Sequence, residues 1–418
     1  MIKYPNALDA IFEKLKAHKI TPIIVGGFIR DSLLLIESKD IDIEVYGVTS
    51  FDILQEILKE FGKINIVGKS FGVCKIRFES YDLDFSLPRK DNKITSGHRG
   101  FDVKTYSNLD FKEATSRRDF TINSIGYDVT LKKILDPFNG IDDLKNRILK
   151  AVNLESFIED PLRVLRAAQF CARFELSIEH SLSITCKEMV SRGLLAQLPK
   201  ERIFEELKKL LLKSQKPSIG FKLLREFGAD IYNDNLHVVD EIAKQLTTFS
   251  NRNLVLMLSG LYYKVSKDEL EAILGLITDE KELCRDVIEL VKAYNYMSMF
   301  DIDKIDKYFI YKLSTKTNIK ELLVLSSSIY YAQNPKTIYK IGEVIYKKAK
   351  KLGVLNQKLT PLLQGRDLIK IGLEPSAEFN KILYDAYEAQ MSSEFKTYDN
   401  ALLWLKKYIS HKARFMKL

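Results

Sequence analysis

Apolar residues near the start of the chain follow helical and strand spacings in turn. Residues 8–15 have helical spacing, and residues 22–25 form a buried-strand run that Gly26 and Gly27 end. Residues 28–36 then return to helical spacing. The pattern predicts a strand, a glycine turn and a helix in close succession.

The alternation continues as far as residue 90. Residues 40–45 alternate strictly between polar and apolar side chains, as a half-buried strand does. A further helix is predicted over 51–61, and three strands are predicted over 64–67, 73–78 and 81–87. Residues 1 to about 150 are therefore predicted to form an α/β or α+β domain.

From Asp160 onward the apolar spacing is helical, with almost no strand signal. Long helices are predicted over 162–174, 182–191, 203–213 and 219–227. We find no convincing fixed-period repeat, and the helix lengths vary too much for a simple solenoid. The second half is predicted to be all-helical.

Composition predicts a folded chain of two or three domains, since its 418 residues are 46% hydrophobic and 29% charged. No run approaches the roughly 18 apolar residues of a membrane helix. The N-terminus lacks an export signal, so we predict a soluble, cytoplasmic protein without membrane contact. The cysteines are scattered and predicted to be buried free thiols: Cys74, Cys171, Cys186 and Cys284. The net charge of +9 favours a polyanionic partner, although many basic proteins bind none.

The pair Asp40 and Asp42 is the sharpest chemical signal. Residues two apart on a strand project from one face, so two carboxylates are predicted side by side. A divalent cation would neutralise their repulsion, and magnesium prefers one or two carboxylates together with substrate phosphates. Gly26 and Gly27, with Arg30, could hold a triphosphate beside such a metal. The alternatives are a charged strand edge and an ordinary turn.

Two later clusters combine arginine with aspartate. Arg118 and Asp119 stand where the chain turns from charged to apolar, and the alternative to a functional role is an exposed ion pair. Asp160 has the ordinary signature of a helix N-cap. Arg163 and Arg166 follow it at i+3 and i+6, nearly on one helix face. There an acid and a guanidinium could present an acceptor and donors to a flat heterocycle.

Taken together, these runs resemble the tRNA nucleotidyltransferase and poly(A) polymerase family, in the class II branch of the DNA polymerase β-type nucleotidyltransferase superfamily. The matching runs are 25–31, 39–42, 117–123, 136–140 and 159–166. They cover residues 20 to about 175 densely. Residues 201–207 resemble the family's next helical element, and residues 365–375 resemble its C-terminal tail segment.

The resemblance implies an α+β fold, with a DNA polymerase β-like nucleotidyltransferase head and a long all-helical neck, body and tail. The implied catalytic head is residues 1–150, and the implied neck, with the base template and RNA contacts, is residues 151–235. Residues 236–418 would form a tRNA-binding body and tail. Many bacterial relatives add a His-Asp phosphohydrolase, but no histidine of this chain precedes an aspartate, so that activity is not predicted.

The resemblance also implies residue roles. Asp40 and Asp42 would be the catalytic carboxylates and hold two magnesium ions, one activating the attacking 3′-hydroxyl and one steadying the triphosphate. The implied nucleotide-binding residues are Gly27, Arg30, Arg118, Asp119, Asp160, Arg163 and Arg166. Asp160 and Arg163 would be the protein template, because a carboxylate accepts from the amine of cytosine or adenine while a guanidinium donates to ring acceptors. Asp84 is a candidate third carboxylate, or an ordinary exposed aspartate.

The implied reaction is transfer of CMP and AMP from CTP and ATP to the tRNA 3′ end, with release of pyrophosphate. Alternatives within the family are a poly(A) polymerase or an enzyme that adds only A or only CC. Residues 68–73 lack the paired basic residues of polyadenylating relatives, which favours CCA addition. A non-catalytic RNA-binding protein is the alternative outside the family, and the intact carboxylate pair argues against it.

Two positions depart from the family pattern. Gln169 stands where the family often has a third arginine, which puts one phosphate or base contact in doubt. Ser376 replaces the glycine of the C-terminal Pro-Gly pair, which weakens the tail match. Neither length nor charge predicts an oligomeric state.

Overall fold

The computed structural model of the chain describes residues 2–48, 50–67, 73–93, 101–105, 109–229, 236–246 and 250–415. Contacts divide the chain into two units, Met1–Ile231 and Tyr232–Leu418. The predicted run 68–73 lies, apart from Val73, outside the described residues.

A mixed β-sheet lies at the centre of the first unit. The described strands are β1 (Thr21–Val25), β2 (Asp40–Tyr46), β3 (Ile64–Val67), β4 (Val73–Phe78), β5 (Tyr81–Ser86), β6 (Arg89–Lys93), β7 (Phe101–Thr105), β8 (Gly126–Asp128), β9 (Lys133–Leu135), β10 (Ile148–Leu149) and β11 (Ser177–Ile178). Seven of these form one sheet in the order β3-β4-β5-β2-β1-β8-β9. Strand β2 is antiparallel to β1 and parallel to β5, and this register places Asp42 between Val25 and Asp84.

The sheet buries one face of β2 and leaves the other face polar. Ile41 and Ile43 are at most 1% exposed and belong to a core with β5 and the helices α1 (Asp9–Ala17) and α3 (Phe51–Leu58). Because side chains alternate along a strand, Asp40 and Asp42 must project from the opposite face. Burial of the isoleucines therefore determines where the two carboxylates lie.

The remaining described α-helices of the first unit lie between the strands and after them in the chain. They are α2 (Gly27–Leu33), α4 (Phe111–Thr115), α5 (Gly140–Lys145), α6 (Leu154–Phe157), α7 (Leu162–Phe174), α8 (His180–Ser191), α9 (Lys200–Lys213) and α10 (Pro217–Glu226). Helix α7 packs against both α9 and α10. A Cβ on Gly220 would lie 2.8 Å from the carbonyl oxygen of Ala168, so glycine allows α10 to approach α7 closely.

In the second unit, every described element is helical. The helices are α11 (His237–Ala243), α12 (Asn251–Tyr262), α13 (Lys267–Ile277), α14 (Lys281–Ser298), α15 (Lys307–Lys316), α16 (Ile319–Gln333), α17 (Lys340–Lys351), α18 (Gly365–Lys370), α19 (Glu378–Met391) and α20 (Tyr398–Phe415). Helix α18 lies in the predicted tail segment, where buried Asp367 accepts a hydrogen bond from the Tyr398 hydroxyl, 2.7 Å away. None of the described helices is long and apolar enough to cross a bilayer.

The elements predicted from apolar spacing are confirmed, with small shifts in their ends. Helix α2 stops at Leu33, before the predicted end at residue 36, because Leu35 adopts a left-handed φ of 59° and the Ile36 N–H bonds to the Asp31 carbonyl. Cys74, Cys171 and Cys186 are buried thiols as predicted, whereas Cys284 is only half-buried.

The motif at 136–140 is fastened to the motif at 117–123. The Asp136 carboxylate accepts from the N–H groups of Gly140 and Ile141, at 2.8 and 2.9 Å. A Cβ on Gly140 would lie 2.2 Å from the backbone oxygen of Thr121. Only glycine allows this approach of the two backbones.

Gly140→Ala should therefore lower the free energy of unfolding by about 1–3 kcal/mol, the usual cost of overpacking. Asn139→Gly is the matched control, because Asn139 is exposed and already has a left-handed φ of 58° that glycine accepts. Urea unfolding followed by circular dichroism measures both. Equal stability of Gly140→Ala and wild type would contradict the close approach.

Candidate functional site

A cleft of about 480 Å³ in the first unit collects eight of the predicted site residues. Those lining it are Gly27, Arg30, Asp42, Arg118, Asp119, Asp160, Arg163 and Arg166. They come from the start of α2, from β2, from the segment before the 3₁₀ turn Thr121–Asn123, and from the start of α7. Asp40 lies outside this cleft and lines an adjoining cavity together with Asp42.

Two carboxylates of β2, Asp40 and Asp42, lack bonding partners among the described residues. Asp40 and Asp42 are exposed, and within the described part of the chain neither side chain forms a hydrogen bond or salt bridge. The walls of the cleft partly desolvate the Asp42 carboxylate, which raises its pKa. The nearby charges of Asp84 and Asp40 act in the same direction, and Arg118 opposes them without reversing the shift. Two unpaired, mutually repelling carboxylates on one strand face fit a divalent metal.

Asp84 lies beside this pair but has a different partner. It is opposite Asp42 in the β2–β5 register, and its carboxylate forms a salt bridge with Lys75. No group of three or more acidic, histidine or cysteine side chains suited to a metal occurs among the described residues. A direct role for Asp84 as a third ligand stays a prediction.

Arg118 is held under the glycine turn by a residue that sequence reasoning missed. Its guanidinium donates to Glu44 at 2.9 Å and to the Asn123 carbonyl at 3.1 Å. Gly26 has φ 69°, and a Cβ there would lie 2.6 Å from Arg118 Nη1. Burial alone would raise the pKa of Glu44, but Arg118 and Arg117 outweigh it and hold the pKa below its usual range. The sequence did offer a signal for Glu44, because it is the third acidic residue of the alternating run 40–45 and lies on the same strand face as Asp40 and Asp42.

Asp119 joins the same segment to α7. Its Oδ2 accepts from Arg166 Nε at 2.7 Å and Nη2 at 2.6 Å, while Oδ1 accepts from the Asn123 amide at 3.0 Å. Burial opposes ionisation of Asp119, but Arg166 and Asn123 prevail and the pKa is lowered. Arg166 also lies 3.7 Å from buried Glu206 on α9. The alternative interpretation of Arg118 and Asp119 as an exposed ion pair is therefore wrong, because each residue pairs with a different, buried or half-buried partner.

Arg30 is an internal residue of the cleft wall. It is 4% exposed and donates to Asp31 through Nε at 2.8 Å and Nη2 at 2.6 Å. Its guanidinium lies 5.1 and 4.5 Å from the ring centroids of Phe170 and Phe174 on α7. Arg30 thus fastens α2 to α7, and its predicted contact with nucleotide phosphates stays a prediction.

Asp160 caps its helix and also has a charged partner. Its Oδ1 accepts from the Leu162 N–H at 3.1 Å, and its Oδ2 lies 3.3 Å from Arg202 on α9. Arg163 donates to the carbonyls of Ser156 and Arg117 at 2.9 and 2.7 Å. The capping interpretation is confirmed, yet both side chains line the cleft and keep unused acceptors and donors.

Gln169 takes no part in the cleft lining. It is 2% exposed, and the neighbouring Phe170 lines the cleft instead. Phe170 packs beneath the guanidinium of Arg166, with 5.3 Å between the Arg166 carbon and the ring centroid. The helical turn after Arg166 therefore contributes the aromatic surface of Phe170 to the cleft, and Gln169 contributes no charge there.

These features agree with the predicted fold class: a mixed sheet carries paired carboxylates beside a glycine turn, and helical residues complete an arginine-lined cleft. Residues 23–150 match the family model of the poly(A) polymerase head domain. Residues 175–229 match the model described as the probable RNA and SrmB-binding site of polymerase A.

The CCA-adding enzyme of Francisella tularensis subsp. novicida is 32% identical over 303 residues, which are 65% of this chain and 78% of the relative. The multifunctional CCA protein of Pseudoalteromonas atlantica is 37% identical over 209 residues. That match spans only about half of each chain, 49% in both cases. This chain belongs to the family of CCA-adding enzymes and poly(A) polymerases.

Solved structures share the fold. A CCA-adding enzyme in complex with ATP has a TM-score of 0.71 at 19% identity, with 97% of this chain and 95% of that chain covered. The Thermotoga maritima CCA-adding enzyme complexed with tRNA has a TM-score of 0.67 at 18% identity, with 98% and 97% covered. The predicted fold class, a nucleotidyltransferase head followed by a long helical region, is confirmed. Nucleotidyltransferases of this family are in general metal-dependent.

The Asp119 ion pair should leave a signature in acid stability. The pKa of Asp119 is lowered in the fold, so its ionisation stabilises the folded state. This stabilisation is complete above the pKa of the unfolded chain, about 3.9, and is lost as the pH falls through the lower pKa of the folded state. Asp119→Asn should cost about 1–3 kcal/mol at pH 7 and progressively less below about pH 4. Urea unfolding across this range measures the difference.

Asp142→Asn provides the control, since Asp142 and its partner Lys145 are both 72% exposed. This variant should stay within about 0.5 kcal/mol of wild type at each pH. A constant deficit of Asp119→Asn at every pH would show that the ion pair does not stabilise the fold.

Proposed function

We propose that this chain is a tRNA nucleotidyltransferase that adds CCA to the tRNA 3′ end. It takes CMP and AMP from CTP and ATP and releases pyrophosphate. The observation that carries this proposal is the convergence of eight candidate residues in one cleft, among them the β2 carboxylate Asp42, with Asp40 in the adjoining cavity. The names of the relatives support it, as do the neighbours of the same fold described with ATP, CTP and tRNA.

Asp40 and Asp42 would hold magnesium, which when bound neutralises the triphosphate and lowers the pKa of the attacking 3′-hydroxyl. The raised pKa of Asp42 and the lack of a described bonding partner for either carboxylate support this assignment. The backbone at Gly27 and the guanidinium of Arg118 face the same cleft. They would orient the phosphates, and Asp119 would do so indirectly through Arg166.

Asp160 and Arg163 would select the base. Two of the five guanidinium N–H groups of Arg163 are used by backbone carbonyls, so three remain for a ligand. Asp160 uses one lone pair for the Leu162 N–H and one for Arg202, and it keeps others. Internal bonds thus hold both groups in place, while their spare capacity matches the amine and ring acceptors of cytosine and adenine. Arg166 would complete the nucleotide site.

The proposed division of labour places catalysis in residues 1–150, base selection in the neck at 151–235, and tRNA binding in the neck and in the body and tail at 236–418. We also propose a cytoplasmic location, as expected for an enzyme that processes tRNA. Incubation with tRNA transcripts that end before, within and after CCA, each with one labelled NTP, separates CCA addition from poly(A), A-only or CC-only addition.

Asp40→Ala and Asp42→Ala should each abolish nucleotide incorporation in this assay, because the cation site is lost. Stability should not fall, since each change removes one of two repelling charges and the pKa of Asp42 is already raised by the fold. Asp52→Ala, an exposed position on α3, serves as the control and should keep activity. Wild-type turnover in either the Asp40→Ala or the Asp42→Ala variant would exclude the catalytic assignment.

Asp160→Asn should retain the helix cap, because asparagine caps about as well as aspartate. It should lower kcat/KM for CTP and ATP and relax rejection of UTP and GTP, because an amide can also donate. Arg163→Ala should cost roughly 1–3 kcal/mol in the same quantity, and the double variant should be non-additive. The measurement is kcat/KM for all four nucleotides, with tRNA ending in C for CTP and in CC for ATP.

Arg202→Ala tests whether Asp160 acts only through its salt bridge. This change removes the partner of Oδ2 and leaves the carboxylate itself in the cleft. If Asp160 selects the base directly, Arg202→Ala should keep the preference for C and A. If Arg202→Ala relaxes selectivity as much as Asp160→Asn does, or if Asp160→Asn stays selective, the template assignment fails.

A further inference from the structure

A second cavity, of about 850 Å³, adjoins the base-selecting cleft. The two share Gly27, Arg30 and Asp42, but Asp40 lines only the second cavity. None of Asp160, Arg163 and Arg166 lines this second cavity. The paired carboxylates therefore face two adjoining compartments, and only one of them contains the candidate base-selecting residues.

The second cavity is lined by basic side chains of different availability. Arg173 pairs with Asp31 at 3.3 Å, and Arg147 donates to the Phe174 carbonyl at 2.9 Å. Lys39 and Lys213 are exposed, and neither side-chain ammonium forms a hydrogen bond or salt bridge with any residue that the structure describes. Two lysines thus keep all their donors for an anion.

Lys213 lies within electrostatic range of the catalytic edge. Burial, Arg173 and Lys209 lower the pKa of its ammonium, while Asp40 and Asp31 act in the opposite direction. A bound phosphate would relieve this crowding of positive charge. Among the acidic residues of the cavity, Asp31 is engaged by Arg30 and Arg173, and Glu175 by Lys216, whereas Glu37, Asp40 and Asp42 have no bonding partner among the described residues. A cation held by Asp40 and Asp42 would leave Lys39 and Lys213 opposed by Glu37.

Apolar side chains form another part of the lining. Phe28 and Leu34 line the cavity, and Ile36, which also lines it, is 43% exposed. An apolar surface beside cations that carry no partner is the combination that binds a nucleotide of a single strand, with the base on the apolar part and the phosphates on the cations.

We infer that the second cavity holds the 3′-terminal nucleotide of the acceptor RNA, with Lys39 and Lys213 on its backbone phosphates and Ile36 against its base. The inference rests on the proposed function. In-line attack places the 3′-oxygen and the leaving pyrophosphate on opposite sides of the reacting phosphorus, so RNA and triphosphate need separate compartments that meet at the carboxylates. The two cavities meet at Asp42, which lines both.

The test compares two RNAs, an acceptor minihelix with a single-stranded 3′ end in CC and the same helix cut back to a blunt end. Dissociation constants are measured for the full chain without nucleotide or divalent metal, so the result does not depend on catalysis. Wild type should prefer the CC-ended RNA. Lys39→Ala/Lys213→Ala should weaken its binding roughly tenfold or more and reduce the salt slope by about 1–2, with little change for the blunt RNA.

Lys145→Ala/Lys187→Ala is the matched control, since both lysines are exposed in the first unit and neither lines the cavity. It should leave the preference for the CC-ended RNA unchanged. Equal weakening by both double variants would mean that net charge alone is responsible, and the inference would be wrong. A raised KM for CTP with unchanged RNA binding would assign the lysines to the triphosphate and also overturn it.

Ile36→Ser tests the apolar part separately. Wild type should bind RNA ending in cytidine more tightly than RNA ending in an abasic nucleotide, and Ile36→Ser should lose that preference. Leu131→Ser, at a position 70% exposed and outside the cavity, should retain it. If wild type fails to incorporate nucleotides, the proposed function is wrong. If wild type incorporates nucleotides but the variants keep these RNA preferences, the proposed function stands and the cavity assignment is wrong.

Discussion

Arg118 and Asp119 are consecutive residues whose side chains bind buried partners in different elements, and the rest of the site depends on this. Arg118 pairs with Glu44 of β2, and Asp119 pairs with Arg166 of α7. A buried charge without a partner is costly, so the segment has one favourable position, between the sheet and the helix. That position brings the start of α7 to the polar face of β2 and creates the cleft.

The acidic residues of this region fall into two groups, those with an arginine partner and those without a bonding partner among the described residues. Glu44 and Asp119 have arginine partners, and their pKa values are lowered. Asp40 and Asp42 have no bonding partner among the described residues, and the pKa of Asp42 is raised. Paired carboxylates hold the elements together, whereas the unpaired ones keep repulsive energy that a bound cation would relieve. One face of β2 therefore carries both a paired carboxylate, Glu44, and two unpaired ones, Asp40 and Asp42.

Helix α7 connects the two compartments. Its N-terminal turns present Arg163 and Arg166 to the cleft, and its C-terminal end presents Arg173 and Phe174 to the second cavity. Close contact with α9 and α10 leaves it little freedom, because the approach at Gly220 has no room for a Cβ. A rigid helix that lines both compartments can hold two substrates at a constant spacing, which is what positioning catalysis requires.

The sequence by itself determined the local elements and most of the candidate residues, because apolar spacing and the order of motifs depend only on the chain. The alternation over 40–45 was enough to place Asp40 and Asp42 on one face of a strand. Tertiary structure alone decided which charges are used internally. Arg30, predicted for phosphates, is buried against Asp31 and two aromatic rings, and Asp160 has Arg202 as a partner. Glu44 and Glu206 acquired roles only through arginines 74 and 40 residues away in the chain. Such pairings could not be predicted, since a charge pattern shows which groups can pair, whereas desolvation and packing between distant segments decide which of them do.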